Sequence, residues 1–134
     1  METKHNYKSV LLVDDVDLDN FVSKTIISSY HFSENIHLHT TADSALEFLK
    51  QTGKTPDIPF PDVIFIDINM PVIDGFQFIE NIKRELKDEM ALFKPKLVML
   101  TSSIFNSDRQ KAREGFKDII FIVKPLTEET LKLI

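Results

Sequence analysis

Residues 63–71 read VIFIDINMP. Val63–Ile66 is a continuous apolar run that follows Pro59 and Pro61, and it ends directly on Asp67. Continuous apolar runs of this length are typical of strands that are covered on both faces, as in a parallel sheet. The stretch therefore predicts a buried strand with one acid at its carboxyl end, and this acid needs an explanation.

Four further short runs recur along the chain, three of them nearly continuous in apolar residues and one, Ile36–Thr40, alternating, and segments with apolar residues three and four positions apart lie between them. Strands that alternate with helices predict an open α/β sheet with helices on both faces. No linker or internal repeat interrupts the pattern, so we expect one domain over residues 1–134. The four runs are Ser9–Val13, Ile36–Thr40, Lys96–Leu100 and Ile119–Val123.

Each predicted helix has a start signal. Asp17 is placed as the N-cap of the first helix, and Asp19 is assigned to its first turn, where acids favour the helix dipole. A short polar fourth helix is predicted at Asp108–Glu114. The other start signals are Thr41, Asp74 with Gln77, Ser107 with Gln110, and Thr127. The residues predicted to face the core from the first helix are Leu18, Phe21, Val22, Thr25 and Ile26.

The composition excludes several classes of protein. Hydrophobic residues make up 43% and charged residues 28% of the 134 residues, which is typical of a globular chain. The formal net charge of −5 argues against nucleic-acid binding through a global positive field. The absence of cysteine excludes disulfides and thiolate metal sites. No apolar run approaches the roughly 20 residues of a membrane span, and the start METKHNYK lacks a signal-peptide core, so we expect a cytoplasmic protein.

Acids follow two of the predicted strands. Asp14 and Asp15 end the first strand, as Asp67 ends the third. If these strands are neighbours, three carboxylates converge, and each pair at 4 Å would repel by roughly 4 kcal/mol at an effective dielectric near 20. Protonation, a cation or a basic partner would offset this repulsion, and a hard divalent ion such as Mg²⁺ suits oxygen ligands.

The remaining strands end in groups that complete a chemical pattern. Lys124 follows the fifth strand, and Thr101 and Ser102 follow the fourth. A carboxylate beside a metal ion, a lysine and a hydroxyl suits the transfer of a phosphoryl group to Asp67. The sequence thus favours phosphoryl chemistry at the carboxyl edge of the sheet.

The motifs "LLVDD" at 11–15, "IFIDINMPVIDG" at 64–75, "MLTSS" at 99–103 and "FIVKP" at 121–125 together resemble the receiver domain of two-component response regulators. The resemblance covers essentially the whole chain. It implies a flavodoxin-like (βα)5 fold, an open parallel sheet of strand order 2-1-3-4-5 with helices on both faces.

The resemblance also implies roles for residues of the site. Asp67 corresponds to the phosphoacceptor. Asp15 and Asp67 correspond to direct ligands of Mg²⁺, with Asp14 acting through water and Asn69 through its backbone carbonyl. Lys124 corresponds to the lysine that contacts the acceptor and then the phosphoryl group.

Further roles follow from the same resemblance. Thr101 corresponds to the switch hydroxyl and Phe121 to the aromatic switch position. Ser102 corresponds to the small residue that leaves access to the acceptor. Asn69 and Ser103 stand at positions that tune how fast water attacks the acyl phosphate.

The function implied is a signalling switch rather than a turnover enzyme. A sensor histidine kinase or a histidine phosphotransfer protein would phosphorylate Asp67, and a surface of the fourth helix, fifth strand and fifth helix would change state. Neither nucleic acid nor membrane is expected as a partner. The downstream partner and the oligomeric state, a homodimer included, stay open.

Two other functions are considered. A phosphatase of the haloacid-dehalogenase type would need a general acid two residues after the nucleophile, where this chain has Asn69. A binding module independent of phosphate would not need the full set of acids, hydroxyl and lysine. Whether the chain acts alone or belongs to a longer protein stays open.

Overall fold

The computed structural model describes residues 5–55, 57–102 and 118–134. Five strands form one sheet in the order β2-β1-β3-β4-β5, and all four neighbouring pairs are parallel. This confirms the open α/β sheet that the sequence pattern predicts and the strand order that the resemblance implies. The strands are β1 (Tyr7–Val13), β2 (Ser33–His39), β3 (Val63–Asp67), β4 (Lys96–Thr101) and β5 (Ile119–Val123).

Five helices lie in the described ranges. The predicted helix at Asp108–Glu114 falls outside those ranges. A short helix that the sequence analysis did not predict follows α3, because the chain breaks helical geometry at Leu86 (φ −120°, ψ 38°) and then resumes it. The helices are α1 (Asp17–Ser29), α2 (Ala42–Gln51), α3 (Gly75–Glu85), α4 (Lys87–Phe93) and α5 (Glu128–Leu131).

The central strands are buried on both faces. Alternate residues of β1 and β3 point to opposite sides, as the period of a strand requires. Leu11 and Ile64 belong to the core that packs against α2 and α3. Leu12 and Phe65 belong to the second core, which includes Ile27 of α1 and a residue of α5. Helices therefore cover both faces of the sheet, and its carboxyl edge is left between them.

Three of the predicted helix starts are confirmed. The Thr41 hydroxyl accepts a hydrogen bond from the Ser44 N–H at the start of α2. Asp74 and Gln77 form a reciprocal capping box at the start of α3. Thr127 caps α5 in a similar way.

The prediction for α1 is wrong in two respects. Its N-cap is Val16, and Asp17 is already the first helical residue. Most of the predicted apolar face also points outward, since Leu18 is 67% and Phe21 64% exposed, and only Ile26 of that face packs against the second core. The helix buries a more polar face instead, which consists of Asn20, Ser23 and Ile27.

Hydrogen bonds explain the orientation of α1. The Asn20 side-chain amide donates to the backbone carbonyls of Asp14 and His39, at 3.0 and 3.3 Å. These bonds tie α1 to the carboxyl ends of β1 and β2. Ser23 is small enough to let the helix approach the sheet, so the larger apolar side chains on the other face remain at the surface.

Candidate functional site

The strand order brings the predicted acids together. β1 lies beside β3 in the sheet, so Asp14 and Asp15, which follow β1, meet Asp67 at the end of β3. Carboxylate oxygens of the three residues all lie within 4.8 Å of one another. Asp14 and Asp67 are 3% and 5% exposed, whereas Asp15 is open to solvent.

Backbone hydrogen bonds shape the loop that follows Asp67. The Ile68 N–H donates to the Leu100 carbonyl at 3.0 Å, which continues the pairing of β3 with β4. The Gly75 N–H donates to the Ile68 carbonyl at 2.9 Å, so α3 begins directly against the end of β3. The acid therefore stands on a rigid strand end rather than on a free loop.

Lys124 reaches the acids from β5. Its backbone N–H donates to the Thr101 carbonyl at 2.7 Å, and its bond to Pro125 is cis. Its Nζ lies 2.7 Å from Asp14 Oδ2 and 3.4 Å from Asp67 Oδ1. The lysine thus supplies the positive charge that the buried carboxylates need.

The environment of Asp67 raises its pKa to about 6. Burial is the larger cause, and the negative charge of Asp14 adds to it. The Lys124 charge and the Asn69 N–H, which donates to Asp67 Oδ1 at 3.3 Å, oppose this rise. The contacts from Lys124 and Asn69 therefore offset burial and the charge of Asp14 only in part.

The pKa of Lys124 also shifts. Burial lowers it, but hydrogen bonds to Asp14 and Asp19 outweigh burial and raise it above its usual value. The side chain is therefore an ammonium ion at neutral pH.

The acid cluster has the donor chemistry of a magnesium site. Asp14, Asp15 and Asp67 offer oxygen ligands from two adjacent strand ends. Mg²⁺ binds one or two carboxylates and keeps several waters, so an exposed ligand beside two buried ones suits it. Burial and the negative charge of Asp14 raise the pKa of Asp67, and the positive charge of a divalent cation would oppose both effects.

The other predicted site residues take separate positions. Thr101 ends β4 and is 4% exposed, and Ser102 beside it is exposed. Phe121 in β5 is half-buried, with its ring centroid 6.0 Å from that of Phe76. Asn69 is exposed in the loop after Asp67. Ser103 falls outside the described residues.

Comparison with known proteins assigns the chain to a family. The model of the response regulator receiver domain matches residues 10–134. The chain belongs to the response regulator receiver family. Receiver domains are signalling domains of two-component systems, and phosphorylation from histidine kinases and Mg²⁺ binding at an aspartate cluster are typical of them.

Individual relatives agree with the family match. A two-component response regulator from Cytophaga hutchinsonii has a similar structure, with a TM-score of 0.85 and 32% identity over 97% of this chain and 94% of that one. A protein-glutamate methylesterase/protein-glutamine glutaminase of Thiobacillus denitrificans is 33% identical over 87% of this receiver. Hybrid signal transduction histidine kinase L of Dictyostelium discoideum is 30% identical over 92% of it. The receiver spans 29% and 7% of the length of the last two.

The receiver site contains one residue that sequence reasoning missed. Asp19 Oδ2 accepts a hydrogen bond from Lys124 Nζ at 2.9 Å. By its place in the sequence, Asp19 is only an acid in the first turn of a helix. No local pattern signals this contact, because Asp19 and Lys124 lie 105 residues apart in the sequence. In the described part of the receiver, no helix has the length and apolar character that crossing a bilayer requires.

Proposed function

We propose that Asp67 accepts a phosphoryl group from the phosphohistidine of a sensor histidine kinase or a histidine phosphotransfer protein. The observation that carries this proposal is the position of Asp67, a buried carboxylate on a rigid strand end with Asp14 on one side and Lys124 Nζ 3.4 Å away. Asp67 is a nucleophile of the carboxylate type, which is used in covalent phosphoryl transfer.

The transfer forms an acyl phosphate on Asp67. One carboxylate oxygen attacks phosphorus, and the bond between phosphorus and the donor's imidazole nitrogen breaks. That nitrogen keeps the electron pair and takes a proton from solvent. The contacts from Lys124 and the Asn69 N–H both fall on Oδ1 of Asp67, so we assign the attack to Oδ2. Positioning and charge neutralisation do most of the work in such transfers.

Asp14, Asp15, Asp67 and the backbone carbonyl of Asn69 are the groups that would hold Mg²⁺. When bound, the ion supplies positive charge against the phosphoryl oxygens and the carboxylates. Lys124 supplies a second positive charge from β5, and its raised pKa keeps that charge in place at neutral pH. Together the two positive charges would reduce the repulsion between the anionic phosphoryl group of the donor and the three carboxylates.

The acyl phosphate then acts as a switch. The acyl phosphate carries about −1.5 to −2 of charge in place of the single negative charge of the carboxylate, and this charge draws the Thr101 hydroxyl and Lys124 toward it. Phe121 responds to the movement of Thr101, and the surface that includes β5 and α5 changes state. A shift from 1:99 to 99:1 requires roughly 5.5 kcal/mol of differential stabilisation. Asn69 and Ser103 set how fast water removes the phosphoryl group.

The exposed side of α1 is a suitable contact for a protein donor. Leu18 and Phe21 are exposed on the helix that also carries Asp19, a direct partner of Lys124. A donor that rests on these apolar side chains would bring its phosphohistidine to the edge where Asp67 lies. Exposed apolar patches next to a site are typical of interaction surfaces.

The proposal also includes the domain organisation, the location and the partners of the receiver. Residues 1–134 act as one receiver domain in the cytoplasm. The domain promotes its own phosphorylation and dephosphorylation and does not turn over a separate substrate. A downstream protein, and a homodimer in the phosphorylated state, are the partners that its output surface would serve.

Mass spectrometry after incubation with acetyl phosphate and Mg²⁺ tests the proposal. We expect one phosphoryl adduct on the wild-type protein, mapped to Asp67, and none on Asp67→Asn. Asp57→Asn, a change in an exposed loop acid, is the matched control and should label as the wild type does. No adduct on the wild type, or an equal adduct on Asp67→Asn, would contradict the proposal.

A further inference from the structure

Lys124 Nζ lies among three carboxylates from three different parts of the chain. It is 2.7 Å from Asp14 Oδ2, 2.9 Å from Asp19 Oδ2 and 3.4 Å from Asp67 Oδ1. Asp19 belongs to α1 and is not a member of the acid group that could hold a cation, as far as the described residues go. Its carboxylate therefore has a role toward the lysine rather than toward a metal ion.

The three contacts compete for one ammonium group. An ammonium has three N–H donors and no acceptor, and the two shorter bonds go to Asp14 and Asp19. The three carboxylates can occupy all three donors, so a phosphoryl oxygen on Asp67 is a further acceptor that competes with them for the lysine. Lys124 is only 16% exposed, so few waters are available to take over a lost contact.

The Asp19 bond is the one that can give way. The side chain of Asp14 is 4% exposed and would be left as a buried charge without the lysine, which is costly. The side chain of Asp19 is 38% exposed, so water can replace the lysine there. The exchange of partners during phosphorylation should therefore take place at Asp19.

We propose that Asp19 is a positioning residue that holds Lys124 on the α1 side of the site and competes with the phosphoryl group for it. This inference rests on the proposed function of Asp67. In the unphosphorylated receiver Lys124 Nζ lies closer to Asp19, at 2.9 Å, than to Asp67, at 3.4 Å. The Asp19 contact therefore slows phosphorylation.

Asp17 provides a matched control. It lies in the same first turn of α1, carries the same charge and is exposed. The described ion pairs of Lys124 are with Asp14, Asp19 and Asp67. Asp17→Asn therefore reproduces the change in net charge and in helix electrostatics without touching the lysine.

The experiment measures the rate of phosphorylation by acetyl phosphate at saturating Mg²⁺. For Asp19→Asn we expect an increase of about fivefold, the size of effect given by one partly exposed ion pair. Asp19→Ala removes the side-chain oxygen that the asparagine variant retains, so it should be phosphorylated at least as fast as Asp19→Asn. Asp17→Asn should stay within ~1.5-fold of the wild type, because its charge is screened by solvent and salt.

A second measurement reports on the lysine itself without metal or phosphate. In Mg²⁺-free protein with ¹⁵N-labelled lysine, Asp19→Asn should shift the Lys124 ammonium resonance and speed its proton exchange. Asp17→Asn should leave both unchanged. A purely structural role of Asp19 would alter thermal stability but would not accelerate phosphorylation.

The outcomes separate this inference from the proposed function. If the wild type is labelled and Asp19→Asn is unchanged or slower, or if Asp17→Asn is equally accelerated, the role of Asp19 is wrong and the function of Asp67 stands. If the wild type takes no phosphoryl group, the proposed function fails and this inference falls with it.

Discussion

Gly75 packs against Asp67 so closely that a Cβ on the glycine would lie 2.8 Å from the Asp67 backbone carbonyl oxygen. The same Cβ would lie 2.8 Å from Cε of Met99, a flexible side chain that can move aside. The backbone of Asp67 cannot move without displacing the acceptor. Position 75, the first residue of α3, therefore requires glycine, because the backbone of Asp67 leaves no space for a Cβ.

Gly75→Ala should therefore both destabilise the receiver and disturb Asp67. Overpacking of this kind costs about 1–3 kcal/mol in the free energy of unfolding. We also expect slower phosphorylation of Asp67 by acetyl phosphate. Urea unfolding and the rate of adduct formation measure the two effects.

Gly53→Ala serves as the control for Gly75→Ala. Gly53 has φ of +75°, so the alanine is strained, and its Cβ would meet Phe93 Cζ at 3.2 Å. This variant should lose more than about 1 kcal/mol of stability and still phosphorylate normally. If the two variants slow phosphorylation equally, the effect of Gly75→Ala is a general loss of stability and not a local one.

Asp67→Asn should stabilise the receiver at neutral pH in the absence of Mg²⁺. The pKa of Asp67 is about 6 in the folded protein, above its ordinary value of 3.8. The folded state holds the proton more tightly, so the stability that Asp67 contributes is lost as the pH rises through this window. The shift corresponds to at most about 3 kcal/mol at pH 7.5, so a gain of ~1–3 kcal/mol is expected from the asparagine.

The gain in stability from Asp67→Asn should depend on pH. It should shrink toward zero near pH ~3, where the acid is protonated in the folded state and largely protonated in the unfolded state. Urea unfolding in EDTA at both pH values measures it, with Asp57→Asn as the control that shows no such pattern. An equal gain at both pH values would show that ionisation of Asp67 is not the cause.

Val72→Gly should stabilise the receiver. Val72 has φ of +71°, a left-handed conformation that strains a β-branched residue, and its side chain is fully exposed, so nothing is lost in packing. We expect a gain of about 0.5–2 kcal/mol, reduced by the greater freedom of glycine in the unfolded chain. Val72→Ala keeps the Cβ and should gain less. Thermal and urea unfolding measure the stability of the two variants. An equal gain for both would show that relief of backbone strain is not the cause.

The orientation of α1 predicts opposite effects for two apolar residues of the same helix. Phe21 is 64% exposed, so Phe21→Ser should change the unfolding free energy by less than about 0.5 kcal/mol. Ile27 is fully buried, so Ile27→Ala should cost about 2–5 kcal/mol. A large loss for Phe21→Ser would mean that the apolar face suggested by residue spacing is the buried one after all.

Most of the fold and the core of the site follow from local sequence patterns. Continuous apolar runs predict buried parallel strands, and Asp74 with Gln77 predicts the start of α3, because both depend on short-range physics. Asp14, Asp67 and Lys124 are identifiable because each directly follows or ends a strand, and parallel strands end at one edge. The break at Leu86 was missed because residues 87–93 continue a helical pattern without a stop signal.

The sequence by itself therefore determined where the five strands lie, to within about three residues at their ends, and which charged groups reach the edge of the sheet, since both depend on neighbours along the chain. The tertiary structure alone decided how α1 lies on that edge. The Asn20 side-chain amide donates two hydrogen bonds to backbone carbonyls at that edge, so the polar face of α1 is buried. Leu18 and Phe21 remain exposed despite their apolar spacing. The same orientation brings Asp19 to Lys124, a contact between side chains distant in sequence that no local pattern contains.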